Sequence, residues 1–249
     1  MNILPRRVIV PLGLAMALSL PGDATLYAVL PSHFAKASIS IAAVGLILGI
    51  NRAIRILSNT PAGMLFDRMA RRPLFLLAMF TGALSTMIYA VSSGFWPLLL
   101  GRLLWGLSWS LILVGSYTMI LDVTQETNRA RWMGVFQSFY LLGGATGFAT
   151  GGLLMDLLGY RTTLWVCAGL MLLGFLIAWW QLPETAPDAA SLRAGLAHSH
   201  LPRNLLPIFW HRLRATDGRT RSVSYLNFAH YFVGSGVLSS TLGLALSQA

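Results

Sequence analysis

Gly63-Met64-Leu65-Phe66-Asp67-Arg68-Met69-Ala70-Arg71-Arg72 closes one long apolar run of the chain, and Gly152-Leu153-Leu154-Met155-Asp156-Leu157-Leu158-Gly159-Tyr160-Arg161 closes another. Both stretches fit the pattern GxLxDxx(A/G)xR, offset by 89 residues from Gly63 to Gly152. The second copy comes three apolar runs after the first. That number is odd, so in a bilayer the two copies face opposite sides, as an inverted repeat of three helices plus three helices requires.

The composition demands that bilayer. Of 249 residues 55% are hydrophobic and 10% charged, with a mean hydropathy of +0.66, whereas soluble domains carry about 25% charged residues. A soluble globular protein is excluded. Crossing the hydrocarbon core takes about 20 apolar residues, and seven runs suffice: 8–31, 41–66, 73–93, 97–122, 132–155, 162–181 and 223–247. The first is too long for a cleaved signal and leads straight into further spans, so it reads as a retained helix.

The 18 Lys and Arg residues outnumber 8 Asp and Glu, for a net charge of +10. With the N-terminus in the cytoplasm, thirteen basic residues fall in the N-terminal segment and the inward loops, Lys36 and Arg161 in outward loops, and Arg52, Arg55 and Arg102 within spans. This is the bias that sets orientation in a multi-pass protein of a bacterial-type inner membrane. The charge is topogenic, and no nucleic-acid partner is expected. The Arg-rich stretch 193–221 reads as a solvated connector touching anionic lipid. A single cysteine, Cys167, lies in an apolar run, which excludes an intrachain disulfide and a cysteine metal site. No cofactor or metal is expected.

Ionisable groups inside a span are costly and must face protein or a polar cavity. Asp23 follows Pro21 and Gly22 in the first run, and the second run carries Asn51, Arg52, Arg55 and Asn59 on one helical stripe. Asp23 lies about 12 Å, and Arg52 about 16 Å, below the outer ends of their runs. An Arg side chain closes that gap. Asp23 is therefore expected to pair with Arg52 or Arg55, either as a switch that substrate or proton binding opens or as a permanent salt bridge fixing two helices. In the fourth run Arg102 is followed by Trp105 and Trp109 on one face. That face can stack an organic cation or aromatic substrate while Arg102 binds anionic groups, or the two rings can simply pack.

At the loop, Asp67 with Arg68, Arg71 and Arg72 can join Asp122, where the fourth run meets the cytoplasm, in an ionic latch. Gly143, Gly147 and Gly151 form a smooth stripe for close helix approach, with or without a gating role. Asn227, His230 and Tyr231 make a polar patch in the seventh run to which no role is assigned.

Gly63, Leu65, Asp67, Arg68, Arg71 and Arg72 resemble the signature loop between helices 2 and 3 of the major facilitator superfamily, GxLxDRxGR(K/R), with Ala70 where that family usually has Gly. Arg102 and Gly106 resemble its RxxxG element, although Trp105 replaces the usual Gln. The glycines of its exporter and antiporter pattern fall on Gly134, Gly143, Gly147, Gly151 and Gly152, with Phe148 in place of a proline. Gly22, Val29 and Pro31 give a weaker first-helix match in which Ala28 replaces a proline. The resemblance covers the first six runs. It implies proton transfer at Arg102, and a latch at Asp67 that stabilises the outward-open state and contacts an eleventh helix.

The fold expected is therefore an all-α integral membrane protein: a six-helix bundle with a 3+3 inverted repeat over residues 1–182, a cytoplasmic loop over 183–221, and a seventh helix within 222–249 that opens a missing second domain. The function expected is secondary active transport of a small molecule by alternating access, proton-coupled and exporter-like, with the missing half or a second chain required. Its rivals are a seven-span ligand-binding receptor and a truncated fragment without function. A retinal receptor is excluded because the only lysine is Lys36. An intramembrane enzyme needs paired acids or a nucleophile arrangement, and Asp23 stands alone among intramembrane acids.

Overall fold

The computed structural model describes residues 3–186 and a few single positions between 217 and 229. The run 223–247, with Asn227, His230 and Tyr231, and most of the 183–221 connector lie outside the described residues. Within 3–186 the helices are α1 (Pro5–His33), α2 (Ile41–Arg68), α3 (Arg71–Val91), α4 (Phe95–Val123), α5 (Glu126–Leu158) and α6 (Tyr160–Gln181). All six are long and apolar enough to cross a membrane.

They follow the first six expected runs and overshoot them where polar turns extend a helix beyond its apolar stretch. Thus α5 begins at Glu126 because Gln125 and Asn128 cap its first amides reciprocally. Ser40 caps α2, its Oγ accepting from the Ala43 amide at 3.3 Å. Gly94 and Gly159 introduce α4 and α6 with φ of +93° and +80°. That left-handed backbone lets the chain reverse within a few residues.

α1 packs on α5 and α6, α4 packs on α2 and α3, and α3 meets α6. Exchanging α1–α3 with α4–α6 reproduces this set of neighbours. The lengths agree, with 29 residues in both α1 and α4, and 21 and 22 in α3 and α6. The two loop motifs thus close the equivalent helices α2 and α5. Neither triplet buries its own faces; each is completed by the other.

The α1–α5 seam shows how the sequence permits this. A Cβ at Gly143 would lie 2.5 Å from the Ala17 carbonyl oxygen, one at Gly147 2.7 Å from Pro21 Cα, and one at Gly151 2.6 Å from Thr25 Oγ1. Only glycine fits. Pro21 has no N–H, so the Ala17 carbonyl lacks its usual helical donor, and the glycine face of α5 closes over that point. Thr25 Oγ1 donates to the Gly147 carbonyl at 3.3 Å.

Gly134 and Gly152, expected in the same role, do not share it: a Cβ at either would meet nothing within 4 Å among the described residues. The helical period explains the difference. Gly134 lies nine residues before Gly143 and so faces the opposite side, while Gly152 is turned about 100° from Gly151. α2 and α5 are the least covered helices, exposing Leu46, Ile56 and Leu57 on one and Leu141, Leu142 and Phe148 on the other.

Candidate functional site

Asp23 sits midway along α1, ten residues before its end, and a cluster from α2 and α4 closes around it. The nearest partner is Arg102 of α4, whose Nη1 donates to Asp23 Oδ1 at 2.5 Å. Arg55 of α2 follows, with its Nη2 3.6 Å from Oδ2. Asn51 Nδ2 donates to Oδ1 at 3.4 Å, and Asn51 Oδ1 accepts from Arg55 Nε at 3.1 Å. Asn51 thereby orients both the acid and the base.

Of the two partners proposed from sequence, Arg55 lies beside the carboxylate, whereas the Arg52 guanidinium lies 5.1 Å from the centre of the Tyr27 ring. Arg102 as the closest partner was not foreseen. Both it and Asp23 lie about 10–15 Å from the same end of the bundle, but depth alone does not say which helices are adjacent.

Aromatic rings wall the cluster. Arg102 Cζ lies 4.8 Å from the Tyr27 ring centre and 5.7 Å from that of Tyr89. Arg55 Cζ lies 4.9 Å from the Trp109 ring, and Trp109 in turn meets Trp105 at 5.7 Å and Tyr140 at 6.0 Å between centroids. Guanidinium groups over ring faces gain cation–π attraction that strengthens with desolvation. Tyr27 is fixed by its hydroxyl donating to the Leu48 carbonyl at 3.0 Å.

Arg102 and Asn51 are completely buried and Trp105 nearly so, while the side chains of Arg55 and Asp23 keep 22% and 12% exposure. The cluster is therefore closed on the Arg102 side and open on the Arg55 side. Trp105 and Trp109 are both buried core rings. Tyr27 and Tyr89 were missed in the sequence, although Tyr27 lies one helical turn after Asp23 and that spacing was available.

At the α2–α3 end, Arg71 Nε donates to Asp122 Oδ2 at 3.3 Å, and Thr185 Oγ1 donates to the same oxygen at 3.1 Å. The Arg71 and Arg72 amides donate to the two carboxylate oxygens of Glu184 at 2.9 and 3.1 Å. Glu184 thus supplies negative charge to the unsatisfied amides of the α3 N-terminus. Arg72 Nη2 donates to the Trp179 carbonyl at 2.5 Å. Asp67 is exposed and Arg68 half-buried, and neither forms an ion pair with the described residues. The sequence pattern pointed to Asp122 but not to Glu184, which lies beyond the last apolar residue of α6. Gly63 lies on the half-buried last turns of α2, opposite Val114. Among the described residues no group of three His, Cys, Asp or Glu side chains could hold a metal.

A family model described as Major Facilitator Superfamily matches residues 12–247. The chain is similar to the inner membrane transport protein YajR of Escherichia coli, with 26% identity over 192 residues, 77% of this chain and 42% of that one. It is similar to the class B tetracycline resistance protein of Escherichia coli, with 29% identity over 141 residues, 57% of this chain and 35% of that one. In three dimensions it resembles the human organic anion transporter MFSD10, with a TM-score of 0.63 and 24% identity over 74% of this chain and 49% of that chain. The matched stretches span less than half the length of these relatives.

Proposed function

The chain belongs to the Major Facilitator Superfamily, whose members are transporters and not enzymes, and from that premise we propose that it moves a small molecule by alternating access, coupled to protons and in the exporter or antiporter sense. Six apolar helices among the described residues, together with bacterial relatives, make it a multi-pass inner-membrane protein. The N-terminus and the α2–α3 end face the cytoplasm in this reading, because basic residues collect there. Residues 1–182 are the first transmembrane domain, 183–221 the connector, and 222–249 the beginning of a second domain. A second six-helix half, in the same polypeptide or from another chain, completes the transport path.

The observation that carries the reading is the carboxylate of Asp23, held between Arg102 and Arg55 in the middle of membrane-capable helices. An acid at that depth is tolerated where its charge is compensated, and protonation would weaken its hold on both arginines. Proton uptake and rearrangement of three helices are then one event. Likeness to a protein named for tetracycline resistance supports outward transport, since resistance at a membrane means removal of the compound.

The test is proton movement in inverted vesicles, followed with a pH-sensitive dye after adding tetracycline and then a wider compound panel. Asp23→Asn is expected to abolish compound-driven proton movement while leaving the protein inserted. Unchanged proton movement with lower stability would reduce Asp23 to a structural salt bridge. Absence of flux for every compound in the parent protein would sink the transporter reading itself.

A further inference from the structure

The start of α1 and the end of α6 leave a groove of about 610 Å³ between them. α1 contributes Arg6 and Arg7, with Val10 and Pro11 one helical turn further along, and the end of α6 contributes Gln181 and Pro183. No acidic side chain lines the groove. Both arginines are exposed, and neither guanidinium forms an ion pair or hydrogen bond among the described residues. Basic residues in a first turn oppose the helix dipole, and α1 has no acidic residue there and no capping side chain to offset them. Glu184, the acid next to Pro183, is engaged elsewhere: its carboxylate accepts from the amides of Arg71, Arg72, Thr185 and Ala186. Orientation of the first span accounts for the two charges but not for a cavity beside them.

The groove's depth in the bilayer is marked by tryptophan. Trp180, next to the last residue of α6, is 90% exposed, and Trp179 is also exposed; such rings at the ends of spans sit at headgroup level. This is the α2–α3 end of the bundle, where Arg72 Nη2 donates to the Trp179 carbonyl. The two guanidinium groups therefore lie at the level of phospholipid phosphates, and Val10 and Pro11 lie one turn nearer the hydrocarbon. Charge complementarity calls for an anion, and the apolar wall below calls for a hydrocarbon chain attached to it. The chain's own connector does not meet that description, because residues 193–221 carry six arginines and a single acid, Asp217.

We propose that the α1–α6 groove binds an anionic phospholipid of the surrounding leaflet, with its phosphate held by Arg6 and Arg7 and the first part of an acyl chain on Val10 and Pro11. The proposal goes beyond the transport reading and requires only that the helices lie in a bilayer. A lipid held there ties the start of the first helix to the end of the sixth.

The test is native mass spectrometry of the purified chain in detergent with equimolar dioleoyl phosphatidylglycerol and dioleoyl phosphatidylcholine, which share the phosphate and both chains and differ in net charge. The parent is expected to retain phosphatidylglycerol at least tenfold over phosphatidylcholine. Arg6→Gln combined with Arg7→Gln should lower that preference at least fivefold. Lys36→Gln combined with Arg161→Gln removes the same charge at the opposite end of the bundle and should change the preference less than twofold. Thermal unfolding checks that the variants are folded. If the double variant at α1 does not insert, Arg6→Gln and Arg7→Gln alone each keep one basic residue there, and each should lower the preference at least twofold. Equal retention of the two lipids, a folded α1 variant with the parent's preference, or an equal loss in the Lys36 and Arg161 pair would each overturn the proposal. Glycerol 3-phosphate in hundredfold excess is expected not to displace the lipid; displacement would make the groove a site for soluble phosphates and overturn the lipid assignment. The readout is retention and not flux, so its failure and the failure of the transport reading are separate results.

Discussion

The Asp23 cluster and the Arg71–Asp122–Glu184 cluster are built from the same chemistry and are satisfied to different degrees. At the α2–α3 end the carboxylates are well supplied with donors: Asp122 Oδ2 accepts from Arg71 and Thr185, and Glu184 accepts from four backbone amides, with Arg72 Nε the one guanidinium donor of that cluster left without an acceptor among the described residues. Around Asp23 three guanidinium N–H groups, one of Arg55 and two of Arg102, have no acceptor among the described residues. A network in which most donors are taken resists change, because movement breaks bonds without offering new ones. The contrast sets a well-anchored network at one end of the bundle against buried, incompletely satisfied charge at its middle.

The sharpest way to break the contrast is to remove charge from the middle. Arg102→Leu leaves Asp23 without its closest partner in a buried site and should cost about 3–5 kcal/mol, read by unfolding in detergent. Asp23→Leu combined with Arg102→Leu should recover only part of that loss, since Arg55 then keeps its charge without the carboxylate beside it; a double variant no better than the single one would show that the cluster is held by more than charge. Next comes the seam that carries Asp23. Gly147→Leu drives a side chain into Pro21 and Ala24 and should cost about 1–3 kcal/mol, whereas Gly152→Leu should stay within about 0.5 kcal/mol of the parent.

At the α2–α3 end Glu184→Gln weakens the charge that caps α3, with an expected loss of about 0.5–2 kcal/mol and faster amide exchange at Arg71 and Arg72. Smallest is Asp67→Asn, which should change stability by less than about 0.5 kcal/mol because the carboxylate is exposed. Any larger effect of Asp67 belongs to the balance of inward and outward states, and labelled-cysteine accessibility reads that balance directly.

The helices were legible because a bilayer imposes a length on every crossing segment, and nothing else in the chain imitates an apolar run such as 97–122. Their ends were less so: Glu126 to Arg131 are polar and invisible to hydropathy, yet the Gln125–Asn128 cap carries the helix through them. Asp23 and Arg102 each stood out as ionisable residues in apolar surroundings. Their union did not, because they belong to different helical triplets and only the exchange of packing between triplets brings α4 beside α1 at that depth. The glycine stripe at 143, 147 and 151 was legible because residues four apart share a face, whereas Gly152 and Gly134 of the family pattern, one and nine residues off it, leave that face. Glu184 escaped because a single acid in a short polar tail has no pattern to distinguish it.

The interleaving of the two triplets also sets a timetable. Asp23 and Arg102 are separated by 79 residues, so at about 5–20 residues per second of synthesis roughly 4–16 s pass between their emergence from the ribosome. During that interval only α2 offers Asp23 a cationic partner, Arg55, which follows it by 32 residues. The glycine face of α5 arrives later still, so the first helix made is among the last to be sealed.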